Sequence, residues 1–143
     1  MTAKEFMRQY RRLTVRIRQL DEDIERLEAE IDSTAVNYDG MPRGSKISNK
    51  TQTLAVQLAE LKDKKVRLRS EAWHKREETQ AVIDSIENPV YASLLRCRYI
   101  DGLQWEETAN FIGYESHYTR TRLHERALRA VAEKKNQKEP QQL

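Results

Sequence analysis

An unbroken seven-residue repeat near the start of the chain restricts its fold more than any other feature. Phe6, Tyr10, Leu13, Ile17, Leu20, Ile24, Leu27 and Ile31 follow alternating spacings of four and three. That period keeps one narrow apolar seam on an α-helix and requires a partner helix to cover it. Charged residues fill the other faces, as in DEDIERLEAE, so a coiled-coil helix is predicted over 6–31. The chain holds only 4 glycines and 3 prolines, and 34% of its residues are charged. That balance favours long solvated helices over a sheet with its many turns.

The stretch NYDGMPRGSK, 37–46, breaks the helix. Gly40, Pro42 and Gly44 cannot continue it cheaply, and Asn37 suits a C-terminal cap. Ser48 or Asn49 suits the cap of the next helix. No strand precedes the glycines and no Gly-Lys-Ser/Thr ending follows them, so the segment reads as a turn, not a phosphate-binding loop. A second helix, 48–86, carries the rhythm on through Leu54, Leu58, Leu61, Lys65, Leu68, Ala72, Lys75, Thr79, Val82 and Ile86. Antiparallel folding pairs Ile31 with Leu54, Leu27 with Leu58, Ile24 with Leu61, Ile17 with Leu68 and Leu13 with Ala72. Leu20 then faces Lys65 and Tyr10 faces Lys75, whose stems can cover apolar surface. At ~1.5 Å per residue such a hairpin is roughly 50 Å long. It has little core of its own and suits docking, dimerisation or spacing. Val82, Ile86 and Val90 fall beyond the partner's reach and are expected to join the C-terminal domain.

In that last third, Pro89 opens a helix with Asn88 as its cap. Val90, Leu94, Leu95, Cys97 and Tyr99 form its apolar face, and Asp101-Gly102 ends it. Leu103 or Gln104 starts the short helix WEETANFIG, with Leu103, Thr108, Ala109 and Ile112 inward. Glu106 and Glu107 suit its positive N-terminal end. Gly113 supplies a tight turn before a third helix from about Ser116 to Lys134, buried through Leu123, Ala127, Ala130 and Val131. Short helix, glycine turn and long basic helix have the spacing of a helix-turn-helix. The expected fold class is therefore all-α: a long antiparallel coiled-coil hairpin over 1–87, turning at about 37–47, then a helix-turn-helix over 88–134. The polar residues 135–143 are expected to be a disordered tail.

Chemistry-bearing residues are sparse. Cys97 is the one cysteine, which rules out an intramolecular disulfide and a multi-cysteine zinc site, and it reads as a core residue. His74 has no companion ligand at helical spacing and reads as solvated. Glu106 and Glu107 are adjacent, not opposed as in a glycosidase. No catalytic, metal or cofactor-binding constellation emerges, so an enzyme is not expected. Neither an apolar run of about eighteen residues nor a signal peptide is present, so no membrane partner is expected and a reducing cytoplasm fits.

The string LLRCRYIDGLQWEETANFIGY followed by RLHERALRAV resembles region four of bacterial sigma factors, over roughly 89–132. With the start MTAKEFMRQYRRL and the long helical front, the whole chain is similar to a phage and prophage family of small sigma-like proteins. That family is related in style to the ArpU-like regulators of phage late transcription. The resemblance implies double-stranded DNA as partner and transcriptional control in a bacterial host cytoplasm; tethering to RNA polymerase is an open option beside it. Two departures stand out. Where the family has an aliphatic residue before the position of Leu123, this chain has Thr119 and Arg120, so Thr119 is expected to pack on Ala109. Where the family has its usual serine cap, this chain has Glu115 followed by Ser116, which implies a helix start shifted by one.

With Thr119, Leu123 and Ala127 inward, His117, Tyr118, Arg120, Thr121, Arg122 and His124 are expected outward. Arg120 is the first choice for a paired contact to guanine in the major groove, beside Ser116, His117 and Thr121. Arg122, Arg126 and Arg129 are better placed for phosphates or structure. The competing reading is a charged, solvated face, diluted by Glu115 and Glu125. The net charge of +3 is only mildly basic, and residues 88–143 hold nine Lys/Arg against seven Asp/Glu. Affinity from one module should be modest and salt-sensitive, and raised by a homodimer through the hairpin. Two other functions fit the pattern: a small terminase-like packaging subunit, and a polymerase-binding adaptor that never touches DNA.

Overall fold

The computed structural model describes the backbone of residues 1–37 and 45–138, and the side chains of 1–34 and 49–137. The regular structure among them is all helical. Helices α1 (Ala3–Asn37) and α2 (Ser45–Asp84) are long; α3 (Pro89–Leu95) runs into a π turn, Arg96–Ile100. Then come α4 (Trp105–Ile112) and α5 (Ser116–Tyr118), a second π turn at Thr119–Leu123, and α6 (His124–Lys138). No helix among the described residues is long and apolar enough to cross a membrane. The chain divides into two compact units, Leu13–Glu71 and a second made of Met1–Arg12 with Ala72–Leu143.

In the unit Leu13–Glu71, α1 buries Leu13, Leu20, Ile24 and Thr34, and α2 buries Leu54 and Leu68. Ile17, Leu27, Ile31, Leu58 and Leu61 are half-buried. Ion pairs join Lys65 to Asp21 and, at 3.3 Å, Lys62 to Glu28, so α2 runs antiparallel to α1. Lys65 thus reaches the residue after Leu20, its expected neighbour. Solvated pairs of this kind add only about 0.2–1 kcal/mol each, so the apolar seam does most of the holding. Helix α2 begins at Ser45, which puts Ser48 and Asn49, expected as caps, inside it. The carbonyl of Asn49 accepts the Thr53 hydroxyl at 2.8 Å, as a residue within a helix does. Gly40, Pro42 and Gly44 of the expected turn lie outside the described residues.

The other unit has a core of Phe6, Met7, Val82, Ile83, Ile86, Leu94, Leu95, Tyr99, Ile100, Leu123, Ala127 and Val131. Val82 and Ile86 join this core as expected, and the first turns of α1, through Phe6 and Met7, belong to the same unit. Met7 is fully buried in it, and the Phe6 ring carries the Lys135 ammonium at 3.9 Å from its centroid. Helix α6 also continues to Lys138, so the expected tail from 135 is helical at its start, while 139–143 lie outside the described residues. Asn88 opens α3, its Oδ1 accepting the N–H groups of Val90 at 2.9 Å and Tyr91 at 3.2 Å, with Pro89 at the first helical position. Cys97 is buried, and burial first and the Asp101 carboxylate second push its thiol pKa up.

Gly102 follows the first π turn with φ +71°, and a Cβ there would lie 2.5 Å from the Arg11 guanidinium carbon. Gly113 has φ +80° with nothing within 4 Å. Gly113→Ala should therefore lose only the left-handed backbone preference, about 1 kcal/mol. Gly102→Ala should lose that and also displace Arg11. Urea unfolding of both variants checks this; equal losses would mean that the Arg11 contact contributes nothing.

Candidate functional site

The surface from α4 through α6 is set by how the backbone turns. At the end of α4 the N–H groups of Gly113 and Tyr114 both donate to the Ala109 carbonyl, at 2.9 and 3.0 Å, which closes the helix. Gly113 can take the left-handed conformation required there without a Cβ penalty. Glu115 is extended, and its carboxylate accepts the N–H groups of His117 at 2.8 Å and Tyr118 at 2.9 Å. These two bonds hold its carboxyl below the usual carboxylate range. Glu115 is thus itself the cap, and the expected one-residue shift is corrected: helix α5 starts directly at Ser116. A carboxylate does this work because it can accept both orphan N–H groups and sits at the positive end of the helix.

Between 119 and 123 the helix widens to a π turn without breaking, and the His124 N–H reaches back to the Thr119 carbonyl. Thr119 is fully buried, its hydroxyl donating to the Glu115 carbonyl at 2.8 Å. This local bond lets a threonine stand where an aliphatic residue would otherwise pack. Thr119, Leu123, Ala127 and Val131 form the buried line.

Of the residues expected at the DNA face, His117, Arg120, Thr121, Arg122 and Arg126 are exposed, while Ser116 and Tyr118 are half-buried. Thr121 donates its hydroxyl to the His117 carbonyl at 2.7 Å. Arg126 donates to the Tyr118 hydroxyl at 3.2 Å, and Arg129 pairs with Glu125 at 2.7 Å. Arg120 and Arg122 make no hydrogen bond or ion pair among the described residues; Arg120 acts on Glu115 only through its charge.

His124 departs from expectation and is not an outward residue. Its ring meets Trp105 edge-on at 4.8 Å and stacks on Tyr99 at 5.9 Å. A hydrogen bond of 2.6 Å joins its Nε2 to the Tyr99 hydroxyl. Burial, then the charges of Lys4, Arg98 and Arg8, lower its pKa to about 4, so it is neutral at pH 7. His124 lies seven residues before the fully buried Val131 in the same helix α6, and that spacing puts both on one face. Burial likewise raises the Tyr99 pKa and keeps it a phenol.

The inward side of this surface holds residues that spacing did not reveal. The Arg98 guanidinium lies over the Trp105 ring at 4.2 Å and donates to the Leu103 carbonyl at 2.7 Å. These groups come from separate elements, so no periodicity marks them. Glu115 was detectable only as an acidic residue ahead of a helix.

A protein-family model matches residues 33–132, from the last turns of α1 through α2 and on into α6. The chain belongs to the DUF1492 family. That family is described as protein of unknown function, so membership assigns no activity. No curated protein and no solved structure matches the chain. The DUF1492 segment contains Arg98, Trp105, Glu115 and the whole exposed face from His117 to Arg126; Lys4 and Arg8 precede it.

Proposed function

We propose that this chain is a sequence-specific DNA-binding transcriptional regulator, phage-encoded, that works in a bacterial cytoplasm. In this reading α4, the Gly113 turn and the rod from α5 to α6 are a helix-turn-helix resembling sigma region four. The unit Leu13–Glu71 is a coiled-coil hairpin serving as a dimerisation arm or as a docking surface for RNA polymerase. The observation that carries it is the pair Arg120 and Arg122, exposed near the start of the second helix and without an ion pair among the described residues. Such guanidinium groups are available for base edges and phosphates. The Glu115 cap and the buried Thr119 fix the helix that presents them.

Selection of duplexes from a random pool, followed by fluorescence anisotropy, tests the reading. One motif should be enriched, and Arg120→Ala should weaken binding to it about 10- to 100-fold, the worth of one paired base contact. Enrichment of no motif, or unchanged preference in Arg120→Ala, would count against it. A second reading, the polymerase-binding adaptor, is favoured by Phe111 and Tyr114, exposed at 71% and 45% beside Glu106 and Glu107. Retained activity in an Arg120→Ala, Arg122→Ala double variant that binds no DNA would select it.

A further inference from the structure

The first turns of α1 carry a basic stripe that the helix-turn-helix reading does not use. Met7 points into the core, so helical geometry puts Lys4, Arg8 and Arg11 on one flank and Ala3, Phe6 and Tyr10 on the other. The second flank meets α6, where Lys135 lies over Phe6. The first flank faces the turn after α3, because the Arg11 guanidinium lies against Gly102. Next along that turn is Arg98, fixed by the Leu103 carbonyl and the Trp105 ring. Trp105 touches His124, which lies one turn beyond Arg120 on the same rod. A line of contacts thus connects the α1 stripe to the helix that presents Arg120.

Two carboxylates on these elements have partners of their own. Glu5 accepts the Thr2 N–H at 3.0 Å, and Asp101 lies 3.8 Å from Arg96. Among the described residues Lys4, Arg8 and Arg98 form no ion pair. Neighbouring like charges repel one another, and a local excess of positive charge attracts a polyanion. Burial first, and then these same cations, lower the pKa of His124, and Arg11 and Arg8 add to the burial that lowers that of Arg98.

We infer that Lys4 and Arg8, on the first turns of α1, hold the phosphate backbone of the duplex whose bases Arg120 reads. This rests on the DNA-binding reading above and extends the interface to a segment that precedes the family match. Lys4 and Arg8 are exposed, so neutralising them removes charge without opening the core. Phosphate contacts set affinity and its salt dependence but carry no base preference.

The test compares the full-length chain with a Lys4→Gln, Arg8→Gln double variant and with Arg120→Ala. Each is titrated with the selected duplex and with an unrelated duplex across a salt series. The double variant should bind both duplexes more weakly and lower the slope of log affinity against log salt by about 2, with the preference between duplexes unchanged. Lys4→Arg, Arg8→Lys should restore the slope. Arg120→Ala should instead collapse the preference. An unchanged slope in the double variant, with the preference still lost in Arg120→Ala, overturns the phosphate clamp and leaves the reading of the helix intact. A double variant that loses preference along with affinity overturns it too. A wild-type chain that binds neither duplex removes both.

Discussion

Met7→Ala is expected to destabilise the unit that contains residues 72–143 by about 3 kcal/mol, the cost of emptying a fully buried methionine site. Met7 has no exposed surface and lies in one cluster with Leu94, Leu95 and Val131. Trp105, packed against that cluster, reports on it by fluorescence once Trp73 is replaced by Phe. Trp73 is an exposed tryptophan, which makes its removal mild. A urea midpoint unchanged in Met7→Ala would mean that the start of the chain is not part of this core. The prediction separates the observed organisation from a helical arm that ends where the C-terminal domain begins.

Acidification from pH 7 to 4.5 should cost the same unit about 1–2 kcal/mol through His124 alone, allowing for its partial exposure. Its pKa falls from 6.5 to about 4 in the folded chain, chiefly by burial against Trp105 and Tyr99 and further by Lys4, Arg98 and Arg8. As the pH drops, the unfolded chain therefore takes up the proton first. The stabilisation is present in full above 6.5 and is lost as pH falls through about 4. His124→Leu removes this titration, so its stability should fall less over the same range. Parallel profiles for the two proteins would show that His124 does not sit neutral beneath Trp105. A histidine titration followed by NMR gives the pKa directly.

Both predictions concern places where reading along the chain was incomplete. The spacing of Phe6 and Tyr10 continues the seam of Leu13 to Ile31 without a seam residue out of step, and the period shows only that this face is covered. Burial of apolar surface has no direction, so the same stripe can be covered by a partner helix at one end and by a separate core at the other. Met7, one position off the seam, carries no signal until α3 and α6 are packed around it. His124 departs from the expected outward face for another reason. A buried line drawn through Thr119, Leu123 and Ala127 alone leaves it outside, whereas Val131, seven residues further along the same helix, shares its face.

Local chemistry was legible wherever a residue acts on its own neighbours. Helical periodicity, the Asn88-Pro89 start and the glycines at 102 and 113 depend on backbone preferences and on hydrogen bonds a few residues long, which the order of residue types encodes directly. Convergence is different in kind. That Lys4, Arg8 and Arg98 all lie within electrostatic reach of His124, that Arg98 stacks on Trp105 and that Trp105 covers His124 depends on which apolar faces meet. Hydrophobic burial sets that choice over long separations, and the charges follow the backbone into place.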